Sequence, residues 1–233
     1  MAAIQIDKRA VLAGHFLLGH LHPDELGRLA ASANLTRHPA HATIFEKGDP
    51  GLGMMAVIRG RVKICTYSVG GKELVLNIID RGGLFGEIAL LDGRPRTANA
   101  VTLEETDLLV LERGRFLPFL TANPDIAIRL IAVLCERLRQ TSEHLEDALF
   151  LEAGPRLARW LLRLAKSFGR EAPDGIRLNI KLSQQQIGNL VGISRESINK
   201  HLRLWEAEGL ISMSQGCLVL HDVERLELIG GLD

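Results

Sequence analysis

The chain contains only three cysteines among its 233 residues. Cys65, Cys135 and Cys217 are scattered and odd in number, which excludes a disulfide framework and matches no zinc-ligand spacing. A cytoplasmic location is the default expectation for such usage. Long apolar runs are missing too. "ALL" at 89–91 and "LLVL" at 108–111 sit among charges, far short of the ~18 residues a membrane-spanning helix needs, so no membrane association is expected. The apolar N-terminal stretch is broken by Asp7, Lys8 and Arg9, so no cleavable signal is expected. Net charge is absent as well: Lys plus Arg and Asp plus Glu both number 28. Enzyme signatures are lacking. No Ser/His/Asp or HExxH arrangement occurs, and "GGLFGE" at 82–87 lacks the glycine spacing and the strand and helix context of a dinucleotide fingerprint. His15, His20, His22, His38 and His41 fit no metal motif and are expected at surface or cap positions. No catalytic residue and no metal site is therefore expected.

What is present is a core-forming composition, 46% hydrophobic, which argues against global disorder. Residues from about Leu35 to Glu112 alternate apolar and polar side chains in short runs. They are punctuated by Gly48-Asp49-Pro50-Gly51, Gly60, Gly70-Gly71 and Gly82-Gly83. Short strands at such spacing predict an antiparallel barrel or jelly roll. "PDELGRLAASA" precedes it and reads as a helix with Asp24 and Glu25 near its start. Cys65 and Cys135 are expected in the core.

The texture changes at Pro124. No Gly or Pro occurs between Pro124 and Gly154, and Ile131, Leu134, Leu138, Thr141, Leu145 and Ala148 recur in alternating steps of three and four. That is a heptad seam, suited to packing two helices together. Gly154-Pro155 is expected to break this helix before "RLARWLLRLAKSFG" forms another, and "REAPDGIRLNIKLS" reads as a loop and a strand. Further on, Ser183 can cap a helix from Gln184 to Val191, Gly192 allows a tight turn, and Ser194 can cap a second helix. Ile187, Leu190 and Val191 would share a core with Ile198, Leu202 and Trp205. This is the helix-turn-helix pattern, whose second helix presents its first residues to base edges in the major groove of double-stranded DNA. Those residues are Arg195, Glu196, Ser197, Asn199 and Lys200. The alternating stretch from Ile211 to Leu220 would form the wing. Charge supports the pattern: residues 154–211 hold ten basic and five acidic side chains, a local excess of +5 in a neutral chain.

These segments, in this order, resemble the cAMP receptor protein/FNR family of bacterial transcription regulators over nearly the whole chain. Residues 123–166 are similar to its dimerisation helix, hinge and following helix, and "LSQQQIGNLVGISRESINKHLRLWEAEGLI" to its winged helix-turn-helix. "FGEIALLDGRPRTANA" at 85–100 is similar to the cyclic-nucleotide phosphate cassette. Burying a cyclic phosphate requires a paired cation and backbone donors. Arg96 can supply the cation, the amides after Gly86 around Ile88 and Ala89 the donors, and Glu87 an acceptor for the ribose 2′-hydroxyl. The resemblance assigns these same roles, adds Thr97 as a phosphate- or base-contacting hydroxyl, and places Arg137, Thr141 and Ser142 at long-helix positions near the ligand. The iron–sulfur branch of the family uses clustered N-terminal cysteines, which this chain lacks.

Departures from the family pattern matter. Glu87 and Arg96 stand one residue closer than in the best-known bacterial cAMP activator and match the kinase-module spacing. Lys200 replaces a usual arginine, and Gln184 a basic residue. Thr141 can both donate and accept, which suits an adenine amino group without excluding guanine. The expectation is thus an α+β protein of three parts. Residues 1–123 would form a cyclic-nucleotide-binding β-barrel, 124–152 a homodimerisation helix and hinge, and 153–233 a winged helix-turn-helix. The expected ligand is cAMP, with cGMP open. The expected targets are inverted-repeat operators, with RNA polymerase as a partner if the protein activates. The alternative is a sensor of another signal, with Glu87 and Arg96 as a structural ion pair.

Overall fold

The computed structural model describes residues 22–214 and 216–232. The expectations for the first 21 residues, including those for His15 and His20, lie outside them. Helix α1 (Pro23–Ser32) opens the described chain. His22 is its N-cap, and its backbone N–H donates to Glu25 Oε2 at 3.0 Å.

Eight antiparallel strands follow: β1 (Asn34–His38), β2 (Thr43–Phe45), β3 (Gly53–Arg59), β4 (Val62–Tyr67), β5 (Glu73–Ile79), β6 (Leu84–Phe85), β7 (Asn99–Thr102) and β8 (Thr106–Glu112). They form two four-stranded sheets with orders β1-β8-β3-β6 and β2-β7-β4-β5. Successive side chains of a strand point to opposite faces, and β8 shows the consequence. Leu108 enters the cluster shared by both sheets, with Val57, Val62, Ile79, Phe85 and Ala100. Leu109 and Leu111 face the other way and pack with Met54, Ala56 and Leu84. That outer face is covered by Leu26 and Leu29 of α1, by Phe116 of α3 (Arg113–Ala122), and by Ile126 and Leu130 of α4 (Pro124–Phe150). The short helix α2 (Glu87–Asp92) lies between β6 and β7.

Helix α4 runs for 27 residues. It ends before Gly154-Pro155, which lie inside the first turn of α5 (Ala153–Phe168). Proline is tolerated there because first-turn amides have no intrahelical partner. Cys65 is buried as expected, but Cys135 is exposed, because its position on α4 turns away from the barrel. The segment expected as loop and strand is a hairpin of β9 (Gly169–Ala172) and β10 (Gly175–Leu178). Helices α6 (Gln184–Val191) and α7 (Arg195–Ala207), strands β11 (Ile211–Ser214) and β12 (Cys217–Leu220), and helix α8 (Val223–Gly230) complete the chain. The strands form one sheet in the order β11-β12-β10-β9.

The architecture is therefore α+β: an antiparallel β-barrel of jelly-roll type, a long helix and a winged helix-turn-helix. The chain forms two compact units, one ending at Arg137 and the other starting at Leu138. Among the described residues no single helix is long and apolar enough to cross a membrane.

Candidate functional site

The first unit gathers Gly86, Glu87, Ile88, Ala89, Arg96, Thr97 and Arg137 around one cavity, with Phe45, Ile64, Phe85 and Ala98 completing its wall. Gly86 precedes α2 with φ +79°, the left-handed region that favours glycine. A Cβ there would also meet Arg96 Nη1 at 2.6 Å, so the position excludes a side chain twice over. The amides that follow it open α2, where a helix leaves its first N–H groups without intrahelical partners.

Arg96 is 5% exposed. Its Nη1 donates to Gly86 O at 2.8 Å and its Nη2 to Gly53 O at 2.6 Å, while Cζ lies 4.2 Å from the centre of the Phe45 ring. Its backbone is pinned as well: Arg96 N donates to Asp49 O at 2.8 Å, and Gly48 N to Arg96 O at 2.9 Å. Its Nε is buried with no partner. Burial pushes the guanidinium pKa down, and the nearby carboxylates of Glu87 and Asp49 push back.

Glu87 is 2% exposed. Its Oε1 accepts from Arg137, which also donates to Leu84 O. The ion pair of Glu87 is thus with Arg137 rather than with Arg96, whose two Nη groups are directed to carbonyls instead. Glu87 Oε2 is buried with no hydrogen-bond partner. Ile88 and Thr97 are exposed at the rim. Thr141 and Ser142 are exposed on α4, and Ser142 Oγ donates to Leu138 O at 3.1 Å.

The second unit holds the helix pair. Ser183 Oγ accepts from Gln186 N at 3.2 Å and Gln186 Oε1 accepts from Ser183 N at 2.8 Å, a reciprocal cap of α6. Gly192 turns the chain at φ +78°, and Ser194 Oγ accepts from Ser197 N at 3.2 Å to cap α7. Ile198, Leu202 and Trp205 face inward. Arg195, Glu196, Lys200 and Arg203 are exposed on the opposite face, and Ser197 and Asn199 are half-buried. Hydrogen bonds from its own backbone amide and from Ser194 hold the Glu196 carboxyl below its usual range. A basic, rigid helix start of this kind can present donors and an acceptor to base edges.

Residues 35–123 match the cyclic nucleotide-binding domain family and residues 155–229 the Crp-like helix-turn-helix domain family. The chain is 32% identical over 216 residues to the CRP-like cAMP-activated global transcriptional regulator of Mycobacterium tuberculosis, covering 93% of this chain and 96% of that one. It is 31% identical over 218 residues to the cyclic AMP receptor protein of Thermus thermophilus, covering 94% and 98%. Among solved structures, the c-di-GMP responsive global regulator CLP of Xanthomonas campestris superposes with a TM-score of 0.73 at 27% identity, covering 86% and 99%. The chain belongs to the CRP/FNR family of transcription regulators.

As a CRP/FNR regulator it is a DNA-binding protein with a cyclic-nucleotide-binding domain, not an enzyme. Among its described residues no group of three or more His, Cys, Asp or Glu side chains is placed to hold a metal. Three features of this regulator escaped the sequence reading. Phe45, on a three-residue strand remote from the cassette, underlies Arg96, and nothing in its local pattern points there. The Gly53 carbonyl, 43 residues from Arg96, is a backbone group with no side-chain signal at all. The third is a buried anion in the second unit. Asp147 is 1% exposed; its Oδ1 accepts from Arg159 Nη1 at 2.7 Å, and Arg163 Nη1 lies 2.7 Å from its Oδ2 without being aligned to bond it. Arg159 Nε also donates to Gly230 O at 2.6 Å, tying α5 to α8. Arg159 and Arg163 stand one helical turn apart, a spacing that could have signalled a shared anion.

Proposed function

We propose that this regulator is a homodimer that binds cAMP in the cassette and inverted-repeat operators through paired α7 helices. The carrying observation is a buried guanidinium that joins no ion pair among the described residues, beside a buried carboxylate oxygen with no donor. A cyclic nucleotide answers both needs at once. Its phosphate supplies the counter-charge for Arg96, with the amides of Ile88 and Ala89 after Gly86, and its ribose 2′-hydroxyl can donate to Glu87. Arg137 orients Glu87. Thr97 contributes a hydroxyl to phosphate or base, and Thr141 and Ser142 are assigned to the base by family resemblance alone.

Adenine is favoured because Thr141 can accept from its amino group, and because the Mycobacterium and Thermus relatives are named for cAMP. A cGMP reading remains open through Thr97, whose exposed hydroxyl lies on the cavity wall. Dimerisation is supported by the seam of α4, where Ile131 is 57% exposed, Leu138 67% and Leu145 60%, an apolar stripe at heptad spacing. In this reading residues 1–123 sense, 124–152 dimerise and 153–233 bind DNA, in the cytoplasm, with RNA polymerase as partner where the effect is activation. Ser183 and Ser194 cap the reading helices, and Arg195, Glu196, Ser197, Asn199 and Lys200 face the groove. The ligand acts by binding more tightly to the arrangement that suits DNA, since equal binding would shift nothing.

Calorimetry with cAMP and cGMP side by side, followed by operator binding with each, tests the reading. Binding of cAMP that strengthens retention of an inverted-repeat duplex is expected. No heat with either nucleotide overturns the ligand assignment, and footprints limited to single half-sites overturn the symmetric dimer.

A further inference from the structure

The turn Gly48-Asp49-Pro50-Gly51 lies in the loop between β2 and β3, and this loop touches both parts of the cassette. Gly48 N donates to Arg96 O at 2.9 Å, Arg96 N to Asp49 O at 2.8 Å, and Arg96 Nη2 to Gly53 O at 2.6 Å, where the loop enters β3. The loop is itself braced. Glu46 N donates to Asp49 Oδ2 at 2.8 Å, and Arg113 N, at the start of α3, donates to Leu52 O at 2.8 Å. Gly51 then lies against α2, the short helix that carries Glu87 and buries Ala89 and Leu90. A Cβ on Gly51 would fall 2.3 Å from Ala89 Cβ and 2.9 Å from both Ala89 C and Ala89 O. Gly51 is not among the glycines with positive φ. Its backbone conformation does not call for glycine; the close approach of α2 does.

We propose that Gly51 is a positioning residue for nucleotide binding. It sets the distance between α2 and Arg96, and so between the Glu87 carboxylate and the guanidinium that one ligand must satisfy together. The inference rests on the nucleotide reading of the cassette. Ordinary contact begins at 3.4 Å, so a Cβ at 51 drives the loop and α2 apart by about 1 Å. Three hydrogen bonds fasten Arg96 to the loop, so Arg96 stays with the loop while Glu87 moves with α2. The bond from Arg96 Nη1 to Gly86 O spans the two parts and is stretched. A cyclic nucleotide has its phosphate fused to the ribose ring. Its phosphate and 2′-hydroxyl therefore keep one spacing, and it cannot follow both parts.

Calorimetry on the full-length protein with cAMP and 2′-deoxy-cAMP reads that spacing, with the corresponding guanine pair in a parallel arm. A 2′-hydroxyl donating to a buried carboxylate should make wild type prefer the ribonucleotide by about tenfold or more. Partial unfolding weakens both nucleotides by one common factor, so the ratio reports position and not stability. Gly51→Ala is expected to bind the ribonucleotide about tenfold or more weakly than wild type, and to prefer it over the deoxy form by only about threefold or less. If Gly51→Ala does not fold, Gly51→Ala combined with Ala89→Gly takes its place with the same expectation, since it removes the 2.3 Å contact and keeps those at 2.9 Å. A folded variant that keeps the wild-type preference for the 2′-hydroxyl overturns the proposal and leaves the nucleotide reading intact. Wild type that binds the ribo and deoxy forms equally overturns the Glu87 assignment and the proposal with it. Wild type that binds none of the four overturns the nucleotide reading itself.

Discussion

Replacing Arg96 by alanine separates stability from ligand binding, and the two responses should differ sharply. In the folded chain its guanidinium donates to two carbonyls, at 2.8 and 2.6 Å. Hydrogen bonds from a charged donor contribute about 1.5–3 kcal/mol each. The Phe45 ring, 4.2 Å from Cζ, adds about 1 kcal/mol. Against these stands the desolvation of a cation in no direct ion pair, a penalty of several kcal/mol, which is also why its pKa is pushed down despite the carboxylates of Glu87 and Asp49 nearby. The opposing contributions nearly cancel, so Arg96→Ala should change the stability of the free protein by no more than about 2 kcal/mol. In the nucleotide complex the balance is different. The phosphate completes the pair, and truncation then leaves a buried anion uncompensated, at roughly 3–5 kcal/mol. That corresponds to a loss of about a hundredfold or more in affinity. Thermal unfolding and titration calorimetry on the same samples read the two effects. Arg96→Lys, which keeps the charge but not the two-pronged fork, should fall between wild type and Arg96→Ala. A folded Arg96→Ala protein that binds cAMP or cGMP as tightly as wild type refutes the reasoning, as does a variant that loses affinity only in proportion to lost folding.

Gly86→Ala forces a left-handed alanine into contact with Arg96 Nη1, and nucleotide affinity should fall about tenfold or more by calorimetry while the circular dichroism of the barrel is kept. Leu138→Asp places a charge on the 67% exposed centre of the α4 seam, and sedimentation should shift from dimer to monomer. Asp147→Ala strips the shared anion from Arg159 and Arg163, and chemical denaturation should show the second unit weaker by roughly 3–5 kcal/mol. His144 stacks on Trp160 at 4.5 Å; burial first and Arg163 second lower its pKa below 6.5, while Asp147 and Glu143 oppose. His201, lowered by burial and by Lys200, acts in the same sense. The unfolded chain therefore takes up these protons first, so stability should hold near neutral pH and fall as the pH drops through about 6.5. His144→Phe should flatten that slope in thermal unfolding, and an unchanged slope would locate the effect elsewhere.

Why some of this was legible in the amino-acid order and some was not follows from how far each determinant reaches along the chain. The cap Ser183, the turn at Gly192 and the cap Ser194 act over three or four residues, and each took the structural role its neighbours imply. Adjacent side chains of β8 take opposite faces, so Leu108 enters the barrel and Leu109 meets the covering helices, but the continuous apolar run from Leu108 to Leu111 does not say in sequence which is which. The seam of α4 was visible because Ile131, Leu138 and Leu145 repeat at a fixed interval. Cys135, outside that seam, was expected in the core because free cysteine is usually buried, but a side chain on a long helix is buried only if a partner covers its face. The hairpin of β9 and β10 was half-missed because its pairing depends on β12, far along the chain. At the cassette, the residue types and spacing were enough to single out Glu87 and Arg96 but not their partners. Arg96 is held by two carbonyls and a ring, and Glu87 by an arginine 50 residues on. Backbone carbonyls carry no residue code, so a cation satisfied by them looks in sequence like one searching for a carboxylate. That ambiguity kept a structural Glu87–Arg96 pair open as an alternative. The geometry bears on it directly: a guanidinium fixed by neutral acceptors keeps its full charge for an incoming anion, whereas one neutralised by Glu87 would have little left to offer a phosphate.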